Sequence, residues 1–267
     1  MRASTRQQLI NNIPTPRFQT YLAAANQDPE KALALYQWNI DVAAAVTSTL
    51  AIVEVALRDT IDQQLREWNT IQGGTHEWNT IQGGTHEWIT RPQVPLSHIV
   101  RPTPPPNWLK SPHRKPGDLH GKWWEAKAQG GMKDPQGNRT NLSPTHDDLV
   151  ASLTFGTWRH LIPKPISLGG RSTAPQIDIW NEAINLKTNI CGTGKGFNAS
   201  AGTAYYWCST LLHARNRASH LEPLLDVATL RHWHRISGRT VNALWPGAEV
   251  WVTGPARIPD VIRRKPQ

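Results

Sequence analysis

The segment 211–225 places a guanidinium, an amide and an imidazole close together. Arg215, Asn216 and His220 fall within six residues, and Glu222 and Pro223 follow. Arginine presents a charged planar fork that matches phosphate oxygens. Histidine can move a proton near neutral pH, and asparagine can donate and accept without changing its charge. These residue types predict a site that polarises and cleaves a phosphodiester, although the same spacing also fits the solvated end of a surface helix.

The residues around this cluster resemble a known family signature. Residues 215–223 read RNRASHLEP, which resembles the signature of the Abi (abortive infection) family within the HEPN superfamily. Two weaker strings resemble the same family in the same order, IVEVALRDTID at 52–62 and SLTFGTWRHLI at 152–162. In the first of them, Asp59 stands where the family usually has asparagine. The resemblance implies an all-α, HEPN-like helical bundle that forms a homodimer, with the motif helices of two copies meeting in one cleft.

The resemblance also implies the chemistry, which is RNA cleavage without a metal or other cofactor. RNA carries its own nucleophile, the ribose 2′-hydroxyl, so the protein must move protons and stabilise charge. His220 is the expected general base or acid, and Arg215 is expected to hold the phosphate as charge builds. Asn216 lies four residues before His220, hence on the same helix side, and is expected to orient the imidazole or bridge to a partner chain. RNA contacts or supporting positions are expected at Arg217, Glu222, Glu54, Arg58 and Arg231.

Composition favours a polyanionic partner. The 267 residues carry a net charge of +9 with a pI near 9.9, and a basic balance of this size is typical of proteins that bind nucleic acid. An ordinary basic protein would show the same charge. The two cysteines, Cys191 and Cys208, form neither a disulfide framework nor a metal-ligand pattern, which favours a cytoplasmic location. The apolar run 42–57 is too short and too polar for a membrane span, so no membrane partner is expected.

The chain divides by composition into four segments. Helices are predicted over 1–66 and 143–245, a Pro/Gly-rich insertion outside the core over 67–142, and a basic tail over 246–267. Asp28 is predicted to cap a helix that runs to about Trp68 with a bend or short break near Asp41, and a short strand is predicted at 249–253. The insertion opens with the ten residues EWNTIQGGTH at 67–76, repeated at 77–86. We interpret the repeat as a duplication in a tolerant loop, and His76 and His86 as copies of one loop rather than metal ligands.

The leading hypothesis is therefore an endoribonuclease of a phage-defence system, acting as an abortive-infection or toxin-like protein. An antitoxin or a small RNA could restrain it. The rival hypothesis is a non-catalytic RNA-binding module of a defence ribonucleoprotein, which would use the same cationic cluster. A metal-dependent nuclease is disfavoured because the sequence offers no convincing carboxylate cluster.

Overall fold

The apolar stripe that begins after Asp28 forms one uninterrupted helix. The computed structural model describes residues 3–72, 85–100, 119–133, 136–138, 142–165, 174–254 and 257–267. In it the Asp28 carboxylate accepts from the backbone N–H groups of Glu30 (2.9 Å) and Lys31 (3.1 Å), which confirms the predicted cap. The break predicted as one alternative near Asp41 is absent, whereas the bend stays a prediction. The helix continues from Pro29 to Gln72, because neither proline nor glycine interrupts residues 30–72.

Helices dominate the structure, which confirms the all-α prediction. They are α1 Ala3–Asn12, α2 Thr15–Ala24, α3 Pro29–Gln72, α4 Leu96–Ile99, α5 Leu119–Gly131, α6 His146–Ser152, α7 Phe155–His160, α8 Ala174–Ile179 with a π-helical continuation Trp180–Ile184, α9 Ala201–Ser219, α10 Val227–Leu244, α11 Glu249–Thr253 and α12 Arg257–Arg263. The residues that the structure describes contain no strand, although an isolated bridge joins Asn185 and Phe197.

The strand predicted at 249–253 is wrong, since this segment is helix α11. Its Thr253 hydroxyl donates to the Glu249 carbonyl oxygen (3.0 Å), and Val252 is buried. Gly238 of α10 lies against α11, since a Cβ at this position would make an ordinary van der Waals contact of 3.7 Å with the Thr253 methyl carbon. The described residues offer no strand with which this β-branched pentapeptide could pair, so packing against α10 decides its conformation.

The chain folds into two compact units, residues 1–55 with 207–267, and residues 56–206. The predicted four-segment division follows composition and stays a prediction. In the first unit an apolar cluster forms around α2 and the start of α3, consisting of Phe18, Tyr21, Ala25, Ala32, Leu33 and Leu35. The Trp38 indole donates to the Val261 carbonyl oxygen (2.7 Å), which fixes α12 to the N-terminal part of α3.

Tyr21 carries a polar atom in this apolar cluster. Its side chain is fully buried, and its hydroxyl has no hydrogen-bond partner among the described residues. Burial raises the pKa of Tyr21 to about 12, although Arg17 opposes the shift. The neutral form is therefore strongly favoured in the folded protein.

We expect Tyr21→Phe to raise the free energy of unfolding at pH 7 by about 1 kcal/mol, because the variant buries no unpaired hydroxyl. Above pH 10 the unfolded tyrosine ionises while the folded one stays protonated, so the wild type should lose stability between pH 10 and 12. The gain of the variant over the wild type should therefore grow across this range. Urea unfolding at pH 7, 9 and 11 measures both effects, and an equal or lower stability of the variant at pH 11 would contradict the argument.

The second unit has a tryptophan-rich core. Its largest fully buried side chains include Trp68, Trp88, Trp158, Phe155, Phe197, Ile89 and Leu96. Trp88, Ile89 and Leu96 belong to the segment that was predicted to lie outside the core, so that expectation is wrong for them. Their large apolar side chains stay buried because exposing them would forfeit about 1.5–3 kcal/mol for each aliphatic or aromatic group. Residues 73–84, which include His76, and residues 101–118 lie outside the described residues.

A buried polar cluster lies beside this core. The Asp62 carboxylate accepts from the Trp88 indole (2.7 Å) and contacts the Nε2 atom of His146 (2.8 Å). Arg66 approaches the other Asp62 oxygen at 3.3 Å, and Glu87 lies 3.3 Å from Nδ1 of His146. Asp62 is buried, because His146 and Trp88 from distant parts of the chain cover its side of the helix.

The first copy of the repeat is not a free loop at its start. Residues 67–72 complete α3, and Asn69, which is fully buried, donates to the carbonyl oxygens of Thr85 (2.7 Å) and Arg91 (3.2 Å). Its side-chain oxygen accepts from the Gln93 N–H group (2.7 Å). Asn69 therefore brings the end of the second copy back to the helix that carries the beginning of the first.

We expect deletion of residues 77–86 to change the free energy of unfolding by less than about 1 kcal/mol. The retained copy still places a Thr-His pair directly before Glu87, so Asn69 keeps a matching carbonyl partner, and shortening the loop alters closure entropy only slightly. Thermal unfolding of the deletion beside the parent measures this. An Asn69→Ala variant serves as the control, since it should lose stability in both backgrounds. A collapse of the melting temperature on deletion would mean that the second copy is structural.

Helix α3 is relevant to whether the chain contacts a membrane. Among the described helices it alone is long and apolar enough to cross a bilayer, and 50% of its most apolar stretch is buried inside the protein. Core helices of globular proteins meet the same criteria, so the expected absence of a membrane partner stays a prediction.

Candidate functional site

The Arg–Asn–His motif lies at the end of α9, on the face that points away from the core. The buried face of the helix in this region consists of Leu211, Ala214 and Ala218. The two alanines let the helix pack closely, and their positions four residues apart define the inner side. Arg215, Asn216 and His220 occupy the opposite, exposed side.

A tight turn ends the motif helix directly after His220. The Glu222 N–H group donates to the Arg217 carbonyl oxygen (3.0 Å), and the Leu221 N–H group donates to that of Ala218 (3.0 Å). These bonds form a Schellman motif, in which the residue after the cap adopts the left-handed conformation. Leu221 takes this position with φ 50°. A leucine there is strained, so the surrounding contacts must stabilise the turn.

Three side chains provide that support. The fully buried Asn39 accepts from the Leu224 N–H group (2.6 Å) and donates to the Glu222 carbonyl oxygen (3.2 Å). The Arg217 guanidinium pairs with the Glu222 carboxylate (3.0 Å) and donates to the Pro223 carbonyl oxygen (2.6 Å). Arg217 and Glu222 are therefore used within the turn. These contacts leave Arg217 less able to contact RNA.

Arg17 of α2 completes the end of the motif helix. Its guanidinium donates to the carbonyl oxygens of Leu221 (2.9 Å) and His220 (3.5 Å). A cation at a helix C-terminus compensates the partial negative charge of the unpaired carbonyls. Neither Arg17 nor Asn39 was identified from the sequence, because each lies more than 180 residues from its contact and no local pattern links them.

The three catalytic candidates themselves have no protein partner. Within the ranges that the structure describes, no hydrogen bond, ion pair or ring contact engages the side chains of Arg215, Asn216 or His220. Helix geometry sets their directions. Asn216 and His220 lie about 40° apart around the axis, whereas Arg215 and His220 lie about 140° apart. Helical periodicity, continued to His220 directly after α9, thus puts Asn216 and His220 on one face and directs Arg215 away from His220.

A second imidazole, His213, shares the face of His220. It is exposed and lies seven residues earlier, which puts it about 20° from His220 around the helix and about 10 Å away along it. Asn216 lies between the two. His213 was not predicted from the sequence, although its spacing of seven residues from His220 is a local signal for a shared helix face.

The other predicted residues are spread over two helices. Arg231 is exposed on α10, and within the described ranges it forms no bond with the motif. Glu54 and Arg58 are half-buried on α3 and are engaged in other interactions. Their predicted supporting role toward the motif stays a prediction.

The thiol of Cys191 is another potential nucleophile. Burial, together with the nearby carboxylate of Glu67, raises its pKa to about 11. Since the thiolate is the reactive form, Cys191 is a poor nucleophile near neutral pH. The described residues contain no group of three or more histidine, cysteine or acidic side chains placed to hold a metal ion.

Comparison with known proteins gives no relative for this chain. No protein-family model matches it, no curated protein matches it, and no solved structure matches it. The resemblance to the Abi family and the HEPN superfamily therefore stays a prediction that depends on the motif strings alone.

Proposed function

We propose that this chain is a metal-independent endoribonuclease of the HEPN type. One observation carries the proposal. The motif residues that could do chemistry, Arg215, Asn216 and His220, have exposed side chains without protein partners, while Arg217 and Glu222 hold the turn beside them. Polar side chains that have no protein partner, on a helix end whose backbone is fixed by the turn, are available to bind a ligand.

The reaction would use the ribose 2′-hydroxyl of the RNA. An imidazole removes the proton of this hydroxyl, whose oxygen attacks the adjacent phosphorus. The bond from phosphorus to the 5′-oxygen breaks, and that oxygen takes a proton from a second acid. The products are a cyclic phosphate and a free 5′-hydroxyl. Arg215 would stabilise the extra negative charge that develops on the phosphate.

The proposed active form is a homodimer. Because Arg215 and His220 of one chain point about 140° apart, they are poorly placed to act on the same phosphate. Two motif helices packed across a two-fold axis would let His220 of one copy and Arg215 of the other share one cleft. Such a pair also supplies two imidazoles, one for each proton transfer.

The cellular role that we propose is phage defence in the cytoplasm, by abortive infection or as the toxin of a toxin–antitoxin pair. The basic balance of the chain supports a nucleic-acid substrate. A restraining antitoxin or small RNA belongs to the same proposal, since an unrestrained ribonuclease would arrest its host.

A direct assay tests the proposed activity. The purified protein is incubated with labelled RNA in excess chelator, and the new 3′ ends are analysed for cyclic phosphate. Cleavage with cyclic ends supports the proposal, whereas a complete requirement for added metal would overturn it. Sedimentation measures whether the active species is a dimer, and activity that is confined to the monomer would contradict the composite cleft.

One observation favours a second candidate, a non-catalytic RNA-binding module. No protein side chain orients the imidazole of His220 within the described residues, whereas a general base is usually held by a partner. Binding of the labelled RNA without cleavage, in both monomer and dimer fractions, would support this candidate.

A further inference from the structure

Helices α10 and α12 enclose a groove that the proposed reaction does not use. The groove has a volume of about 320 Å³. Its lining residues are Arg231, His234, Arg235, Ile258, Pro259, Ile262 and Arg263. The arginines form its rim, and isoleucine and proline side chains form its floor. An apolar floor with a few polar groups at the rim is typical of a binding site.

Two of the rim arginines are free to bind an anion. Arg263 pairs with Asp260 of its own helix. Arg231 and Arg235 are exposed, and neither contacts an acidic side chain among the described residues. Cations that face an apolar surface attract an anion more strongly than cations in open water, because the local dielectric constant is lower.

The spacing of the free cations fits a chain of phosphates. Arg231, Arg235 and Arg239 follow one another at four-residue intervals on the exposed face of α10, and each interval advances about 6 Å along the helix. Cations repeated along one helix face suit a polyanion, whose negative charges also repeat along its length. Residues 207–267 also contain nine arginine and lysine residues against four acidic ones.

The floor of the groove suits a nucleobase. His234 is half-buried in the wall, and burial lowers its pKa, so its ring is neutral near pH 7. A neutral ring beside apolar side chains offers a surface on which any base can stack. The groove is small for the apolar face of a peptide helix, which must insert anchors over about two turns. The observations therefore favour a nucleotide over an acidic peptide.

We infer that the groove between α10 and α12 binds single-stranded RNA, with Arg231 and Arg235 on neighbouring phosphates and a base on the apolar floor. This inference rests on the proposed function, since it takes the polyanion to be the RNA that the motif cleaves. The groove then acts as a docking site that holds the strand while the motif acts elsewhere along it.

The test measures binding without cleavage. In a His220→Ala background, a fluorescent 20-nucleotide oligouridine is titrated with the protein at several salt concentrations. Arg231→Gln/Arg235→Gln should weaken binding at least tenfold. It should also lower the slope of log K against log salt by about 1.4, because each single-strand phosphate contact contributes about 0.7. Both side chains are exposed, so circular dichroism should show an unchanged fold.

The matched control is Arg257→Gln/Arg264→Gln, which removes the same charge from a cavity that also contains Asp41 and Asp260. It should change the affinity by less than threefold. Equal losses in the two double variants would overturn the inference, because general charge attraction would explain both. Unchanged binding by the groove variant would overturn it as well, and so would tighter binding of a duplex. Binding of an acidic amphipathic peptide at the groove, with no RNA binding, would overturn it in favour of a protein partner.

The two proposals can fail separately. If the parent protein cleaves no RNA but binds oligouridine through these arginines, the RNA-binding groove is supported and the catalytic proposal is contradicted. If the parent cleaves RNA and the groove variant binds oligouridine as tightly as the parent does, the catalytic proposal is supported and the groove inference is contradicted.

Discussion

Replacing His220 with alanine should reduce the rate of RNA cleavage by at least a hundredfold. General acid–base catalysis by a positioned side chain contributes about 10²–10⁴ to a rate, and His220 is the motif residue that can move a proton near neutral pH. Arg215→Ala should cause a loss of about 10²–10³, the effect of removing one electrostatic donor from a charged transition state. Initial rates on labelled RNA in chelator measure both changes.

The fold should tolerate both substitutions, because the two side chains are exposed and unpartnered within the described residues. Growth arrest by the parent should disappear in both variants. His98→Ala is the matched control, because it removes an exposed imidazole from a different helix, α4. A His220→Ala variant that cleaves RNA as fast as the parent would remove His220 from the mechanism.

Replacing Asp62 with alanine should lower the free energy of unfolding by about 3–5 kcal/mol, the usual cost of removing one partner from a buried ion pair. His146, whose side chain is 4% exposed, would lose its closest carboxylate. The Trp88 indole N–H group would also be left buried without its acceptor. Urea unfolding of the whole chain measures the change.

A matched control for this prediction lies in the same network. Asp147 also pairs with Arg66 (2.9 Å), but its side chain is 84% exposed. Exposed ion pairs contribute at most about 1 kcal/mol, so Asp147→Ala should have a small effect. Asp62→Asn should lie between the two, because it keeps an acceptor for Trp88. Equal stabilities of the Asp62→Ala and Asp147→Ala variants would show that burial of this cluster adds nothing.

The two sets of variants separate function from stability. The motif substitutions remove exposed groups and should leave unfolding unchanged, whereas Asp62→Ala removes a buried group in the unit formed by residues 56–206. A loss of cleavage by Asp62→Ala in proportion to the unfolded fraction would be a stability effect. A His220→Ala variant that is folded and inactive would be a chemical effect.

The sequence by itself determined the local features of this protein. It predicted helices from their apolar spacing, the cap at Asp28 and the all-α class, because these depend on residues within a few positions of each other. It also identified the exposed motif residues Arg215, Asn216 and His220, since the chemistry of a side chain is a property of its type. The HEPN-like fold and the ribonuclease activity are also inferred from the sequence, and the cleavage assay tests the activity.

Only the tertiary structure decided which polar residues serve the fold and which stay available. Arg217 and Arg215 are two residues apart, yet one is fixed to Glu222 and Pro223 while the other is free. Asp62 is buried by partners up to 84 residues away, and a pentapeptide predicted as a strand became helix α11 by packing on α10. Burial and pairing depend on groups that are distant in the chain, and local spacing carries no information about them.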